Sequence, residues 1–224
     1  MLTSLPTMRP DLSEQLYLRD PQDTALGRRL LAESIRLLDE LGFEAFTFKK
    51  LAVVISSTEA SLYRYFENKH RLLTYLVSWH WAWLRFRVRF TVQNVTDPRQ
   101  RLHLALSVVC QATTDDPATP DLDEAALYRV VVAEASKAYL TKDVDADNKA
   151  GFFREYKNLV GDIVEVVRAI NPDYPHPHAL VSTLLESARK QFFFAQHLPS
   201  LTDGADVLPF LERLALSVLA INNE

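Results

Sequence analysis

The chain has 224 residues, 48% of them hydrophobic and 24% charged, a length that suits one or two compact domains with a sizeable core. That composition excludes a disordered chain, a collagen-like repeat and a disulfide-stapled mini-protein, and the lone Cys110 excludes an internal disulfide or a thiolate metal cage. The net charge of −4 divides unevenly, +3 over residues 1–90 against −7 from Thr91 onward, which is how a nucleic-acid-binding head on an acidic body reads.

The chain opens on an arm, residues 1–22, whose MLTSLPTMRPDLSEQ lacks the apolar core of a signal peptide. No apolar run anywhere approaches the ~18 residues of a membrane span, so the expectation is a cytoplasmic protein with no membrane partner. No proline lies between Pro21 and Pro98, and later prolines cluster at 98–120, 172–177 and 199–209, as boundaries between helices do. Period-2 alternation is absent and the apolar spacing is helical throughout. Leu31, Ile35, Leu38 and Leu41 share one face, and Val181, Leu184, Leu185, Ala188, Phe192 and Ala195 share another. The prediction is an all-α chain of about nine helices, at roughly 24–41, 47–54, 58–65, 68–94, 98–114, 121–141, 145–170, 176–198 and 204–222.

Residues 24–76 carry the chemistry. Gly42 suits a left-handed cap on the first helix, and Thr47 caps a second helix with Leu51 and Ala52 inward and Lys49 and Lys50 outward. Ser56 and Ser57 make a short turn. Thr58 caps a third helix with Leu62 and Phe66 inside and Glu59, Ser61, Arg64 and Tyr65 outside, and Asn68 caps the long fourth helix. Two short helices joined by a tight turn and braced by a preceding one describe a helix-turn-helix reader. Ser61 and Arg64 then reach base edges, while Thr47, Thr58, Tyr63, Tyr65 and Lys69 fix register on phosphates. Lys49 supplies charge, and Glu59 accepts from cytosine N4 or repels phosphate.

This segment resembles the N-terminal domain of the TetR/AcrR family of bacterial transcriptional regulators. The resemblance rests on Leu30, Leu31, Leu37, Leu38, Gly42, Phe43, Thr47, Leu51 and Ala52, then Leu62, Tyr63, Tyr65, Phe66, Lys69, Leu72 and Leu73. It covers about fifty residues; the rest agrees in length and helical character alone. Ser56, Ser57 and Glu59 depart from the family pattern, which has glycine in the turn, a small apolar residue after it, and often lysine at the first exposed recognition position.

The resemblance implies an arm at 1–23, a helix-turn-helix DNA-binding domain at 24–70, and a larger helical ligand-binding and dimerisation domain at 71–224. Its implied partners are an operator duplex, a small-molecule inducer and a second copy of the chain, with the long fourth helix passing the signal. The function so implied is a repressor; the competing reading is a helical homodimeric ligand- or partner-binding module that has lost DNA binding. Trp79, Trp83, Phe86 and Phe90 line one face of the fourth helix, as core or, for the later pair, as cavity wall. Aromatics with sparse polar anchors suit a ligand pocket, with Phe86, His103, Gln111, Tyr128, Arg129, Phe152, Tyr156 and Arg189 as candidates. Leu184, Phe193, Leu211, Leu214 and Val218 are candidates for the dimer seam. His176 and His178 have no neighbouring ligands in sequence, so no metal is expected, and no nucleophile elbow, zinc-protease or phosphate-loop motif appears. The expectation is a non-enzyme without cofactor or catalytic residues.

Overall fold

Side-chain caps set where the helices begin. In a computed structural model describing residues 9–111, 122–204 and 206–220, Thr24 accepts from the Gly27 amide and starts α1 (Ala25–Ala45). Thr47 accepts from the Lys50 amide and starts α2 (Phe48–Val54). Thr58 accepts from the Ser61 amide and starts α3 (Glu59–Leu62). The Asn68 side chain accepts from the Arg71 amide at 2.9 Å at the head of α4 (Lys69–Val92). Asp97 and Asp123 do the same for α5 (Pro98–Cys110) and α6 (Glu124–Tyr139). Each such cap is worth about 1 kcal/mol. The chain continues through α7 (Val144–Lys149), α8 (Arg154–Ile170), α9 (Pro177–His197) and α10 (Leu208–Ala220), with no strand among the described residues.

The all-α expectation holds, with ten helices rather than nine among the described residues. The helix expected over 145–170 divides because Gly151 takes φ 81°. Its amide bonds the Asn148 carbonyl and the Phe152 amide bonds the Asp147 carbonyl, a Schellman motif that ends α7. At Gly42 the φ is also positive, 72°, but ψ is 165°, outside the left-handed helical region and in a conformation that is essentially confined to glycine.

The chain forms two compact units, one holding the described residues of Met1–Trp83 and Thr113–Glu155, the other those of Leu84–Ala112 and Tyr156–Glu224. In the first unit, Leu30, Ile35, Phe46, Leu51, Leu62, Phe66, Leu72, Trp79 and Trp83 lose nearly all exposure. Leu41, expected on the inner face of α1, lies outside, and Leu37 takes the inner place. Residues 9–24 pack here too: Leu12 and Leu16 are buried, the Leu18 amide donates to the Tyr65 carbonyl, and Gln22 donates to the Tyr75 hydroxyl. Burial pushes the Tyr75 hydroxyl pKa upward. In the second unit, α8 buries Leu159, Ile163, Val164 and Val167, α9 buries Val181, Leu184, Leu185 and Ala188, and α10 buries Leu211, Ala215 and Leu219. Within α10 the Leu219 carbonyl accepts from the Asn171 side chain, which ties its last turn to the end of α8.

Candidate nucleic-acid interface

α2 and α3 are short because each is closed by its own hydrogen bonds. The Ser56 amide donates to the Val53 carbonyl and the Ser57 amide to the Ala52 carbonyl, the same Schellman pattern as at Gly151. Here, however, Ser56 occupies the positive-φ position, at 50°. The turn needs that conformation whether or not a glycine fills it, and a side chain there costs about 1 kcal/mol. After α3, the Tyr65 and Phe66 amides both bond the Leu62 carbonyl, winding the chain toward α4.

The outward surface of this reader consists of Thr47, Lys49, Lys50, Thr58, Glu59, Tyr63 and Arg64, all exposed, with Ser61 half-buried. Lys49 and Arg64 are exposed and form no ion pair among the described residues. Lys50 is turned back, donating to the Ala45 carbonyl. Thr58 and Ser61 share a hydroxyl hydrogen bond of 2.8 Å. Glu59 lies 3.5 Å from the Tyr63 hydroxyl, and the Tyr63 ring meets Phe48 edge-on at 5.0 Å. The surface thus offers two open cations, one carboxylate and four hydroxyls.

Two expected members face elsewhere. Tyr65, expected outside, is 3% exposed, and its hydroxyl bonds Thr24 at 2.7 Å. The arm residue Leu18 and the cap of α1 claim it, which the sequence around α3 does not show. Lys69 points its ammonium at the carbonyls of Phe43, Glu44 and Phe46, at 2.9–3.2 Å, and over the Phe43 ring. It satisfies carbonyls that the end of α1 leaves without helical partners.

The corner that Lys69 grips is held from α6 as well. The Phe43 amide donates to Glu134 at 2.9 Å, and the other oxygen of Glu134 accepts from Lys137. Lys137 also reaches Glu44 and draws that carboxyl below its ordinary pKa, while Glu134 and then Glu44 raise the pKa of Lys137. A Cβ at Gly42 would come within 3.3 Å of the Glu134 carboxylate, so glycine there serves both the positive φ and this approach. Sequence reasoning missed Glu134 and Lys137, which lie some ninety residues from the corner they hold.

The expected ligand residues do not converge. In the first unit Tyr128 and Phe152 are buried, Tyr128 beside His80 and Phe152 under the Arg71 guanidinium. Arg129, expected as a pocket anchor, is exposed and grips Asp39 with two nitrogens. In the second unit Phe86 is exposed and stacked with Phe90, so the aromatic face of α4 is core only at Trp79 and Trp83. Arg85 is partly buried against Asp162 at 2.7 Å. Gln111 is exposed, and His103 pairs with Glu212 across α5 and α10. Tyr156 and the buried Arg189 come together on Glu186, from α8 and α9, at 3.0 and 3.3 Å. A groove of about 520 Å³ between α5 and α10 is lined by Arg99, Pro209, Glu212, Arg213, Leu216 and Ser217. Cys110 is half-buried, and desolvation pushes its thiol up to about 12.

Of the expected dimer residues, Leu184 and Leu211 face their own unit's core, whereas Phe193 and Val218 are half-buried and Leu214 is exposed. The outward apolar residues of α10 are Phe210 and Leu214, with Leu198 and Leu201 exposed just after α9. No helix among the described residues is long and apolar enough to cross a membrane, and none of their His, Cys, Asp and Glu side chains form a group of three that could hold a metal ion.

Residues 30–76, which span the corner, α2, α3 and the head of α4, match the family model of the bacterial regulatory proteins, tetR family. The chain carries a tetR-family DNA-binding domain. No curated protein matches the chain in sequence. Among solved structures it is similar to a tetR-family regulatory protein from Rhodococcus RHA1, 16% identical, covering 89% of this chain and all of that one at a TM-score of 0.62. It is also similar to the fatty acid degradation regulator FadR from Bacillus halodurans, 14% identical over 84% of this chain and 93% of that one, at 0.63. A third is AibR in complex with isovaleryl coenzyme A and operator DNA, 17% identical over 84% and 97%, at 0.59. At these identities the likeness is one of fold, and it extends the tetR-like architecture from the reader through the helical body.

Proposed function

We propose that this tetR-family chain is a cytoplasmic transcriptional repressor, not an enzyme, that binds a palindromic operator as a homodimer and releases it when a small molecule binds. The observation that supports this most directly is the outward face of α2 and α3. Thr47, Lys49, Thr58, Glu59, Ser61, Tyr63 and Arg64 present hydroxyls, a carboxylate and two cations without an ion pair among the described residues, from helices capped by Thr47 and Thr58. Arg64 and Glu59 are the base readers, Arg toward guanine and Glu toward the cytosine amino group. Thr47, Lys49, Thr58 and Tyr63 hold phosphates. Tyr65 and Lys69 are withdrawn from the DNA contact set, because their polar groups already serve the fold.

A helix-turn-helix needs two copies to read two half-sites. We assign the seam to the outward residues of α10, Phe210 and Leu214, and to the last turns of α9, where Phe193 is half-buried. Effector binding is assigned to the second unit. Its best-built polar groups are Tyr156 and Arg189 on Glu186, and His103 on Glu212, each partnered within the protein until a ligand competes for it. AibR forms a complex with isovaleryl coenzyme A and FadR is a fatty acid degradation regulator, which makes acyl thioesters and fatty acids the first effectors to screen.

The test is retention of a duplex from upstream of the chain's own coding sequence, at two salt concentrations. Retention that falls steeply with salt is expected, because phosphate contacts release counterions. Lys49→Ala should flatten the log–log slope by about one. A dimer that retains no upstream duplex at low salt refutes the repressor reading in favour of a helical binding module without DNA binding, the alternative that Glu59 and the acidic body favour.

A further inference from the structure

The α1–α2 corner, residues 42–46, delivers the chain into α2 and therefore sets where Thr47, Lys49 and the turn before α3 stand. Two groups of hydrogen bonds hold it. One belongs to the reader itself: Lys69 on the carbonyls of Phe43, Glu44 and Phe46. The other comes from α6, ninety residues away in sequence: Glu134 on the Phe43 amide and Lys137 on Glu44. Higher on the same pair of helices, Arg129 of α6 grips Asp39 of α1 with two nitrogens.

We infer that Glu134 is a positioning residue for the DNA reader: its carboxylate, buried beside Gly42 and neutralised by Lys137, fixes the α1–α2 corner through the Phe43 amide. This rests on the DNA-binding reading above for its consequence, though not for the anchor itself. Three features make Glu134 more than packing. It is 9% exposed, and both its oxygens are taken, one by Lys137 and one by the Phe43 amide. The Phe43 amide lies just past the break at Gly42 and donates to the Glu134 carboxylate. Gly42 leaves the space, since a Cβ there would press on the carboxylate at 3.3 Å. A displacement of α6 along α1 therefore withdraws the acceptor from the corner while leaving the Lys69 bonds in place. The reader then keeps its fold but loses one of its two fixings.

The test uses the full chain with Glu134→Ala, Glu134→Gln and Lys137→Met, and reads hydrogen exchange without DNA before any duplex is added. In Glu134→Ala the Phe43 amide should exchange at least about tenfold faster, the factor that a lost hydrogen bond to a charged acceptor implies, with the interior amides of α1 and α4 unchanged. Glu134→Gln keeps a carbonyl acceptor and should restore most of that protection. Lys137→Met leaves the carboxylate short of its cation and should fall between them. The duplex retained by the wild type should then bind Glu134→Ala about tenfold more weakly and Glu134→Gln nearly as well. Unchanged exchange at Phe43 refutes the anchor. Equal acceleration throughout the first unit shows a merely structural residue and refutes the positioning role, as does local loosening with undiminished duplex affinity. A wild type that retains no duplex refutes the DNA reading alone, because exchange at Phe43 still decides whether Glu134 holds the corner.

Discussion

Ser56 stands where the helix-turn-helix bends most sharply, and replacing it with glycine should stabilise the protein. Its φ of 50° lies in the region that a Cβ disfavours by about 1–2 kcal/mol. Both Schellman bonds at this turn come from backbone groups, so Ser56→Gly keeps them. The Ser56 side chain is exposed and makes no hydrogen bond among the described residues, so little packing is lost. Against the relief stands the greater freedom of glycine in the unfolded chain, about 0.4–1 kcal/mol. The balance is a gain of about 0.5–1 kcal/mol, or roughly 1–4 °C in Tm for a chain of this size. The chain offers its own precedent in Gly151, which fills the equivalent position after α7 with φ 81° and the same pair of bonds. Urea unfolding of the wild type, Ser56→Gly and Ser57→Gly measures the effect. Ser57 has no positive φ, so its replacement by glycine should destabilise by the entropic term alone. If Ser56→Gly destabilises as much as Ser57→Gly, the turn carries no strain and the reasoning fails.

At Glu59, replacement by lysine should cost ~1–3 kcal/mol on the true operator and relax preference at one base pair, read by titrating specific and scrambled duplexes. A uniform gain on both duplexes contradicts base readout. Phe210→Asp with Leu214→Asp should yield a folded monomer by light scattering and circular dichroism, since both residues face outward. Leu211→Asp, by contrast, should unfold the second unit, because Leu211 is fully buried; a folded Leu211→Asp monomer would reverse the assignment of the two faces. Below pH 6.5 the protein should lose stability through His70, whose pKa burial depresses while Asp147 and Asp143 raise it and Arg71 lowers it. The folded pKa lies below the unfolded one, so this stability is complete above pH 6.5 and lost as pH falls through the folded value. His70→Gln should flatten that part of a pH–urea profile, and an unchanged profile would remove His70 as the cause.

The reader was legible because its information is local. A cap is a side chain meeting an amide three residues on, so Thr47, Thr58 and Asn68 announce α2, α3 and α4 without any knowledge of the rest. The turn at Ser56 announces itself likewise, through the bonds that close α2. What failed there failed for want of distant partners. Tyr65 reads as an exposed residue at the end of a polar helix, and only Thr24 and Leu18, more than forty residues earlier, draw it inside. Lys69 reads as a basic residue at a helix start beside a presumed phosphate. The carbonyls that take it belong to a corner twenty-three to twenty-six residues back.

The body posed a different difficulty. A helix with one apolar stripe declares its buried face by period alone, as α8 does with Leu159, Ile163, Val164 and Val167. A helix apolar on several sides declares only that it is covered, and the spacing does not divide its residues between its own core and a partner. In α10 the structure makes that division: Leu211, Ala215 and Leu219, spaced by four, turn inward, while Phe210 and Leu214, also spaced by four, turn outward. The two sets lie one residue apart, about 100° around the helix, so an error of a single position exchanges core for surface. Leu211 was placed on the seam for that reason. The inward set includes alanine between two leucines, which fits close approach within the second unit; the outward set begins with a phenylalanine more than half exposed, area that an isolated protomer gains nothing by showing to water.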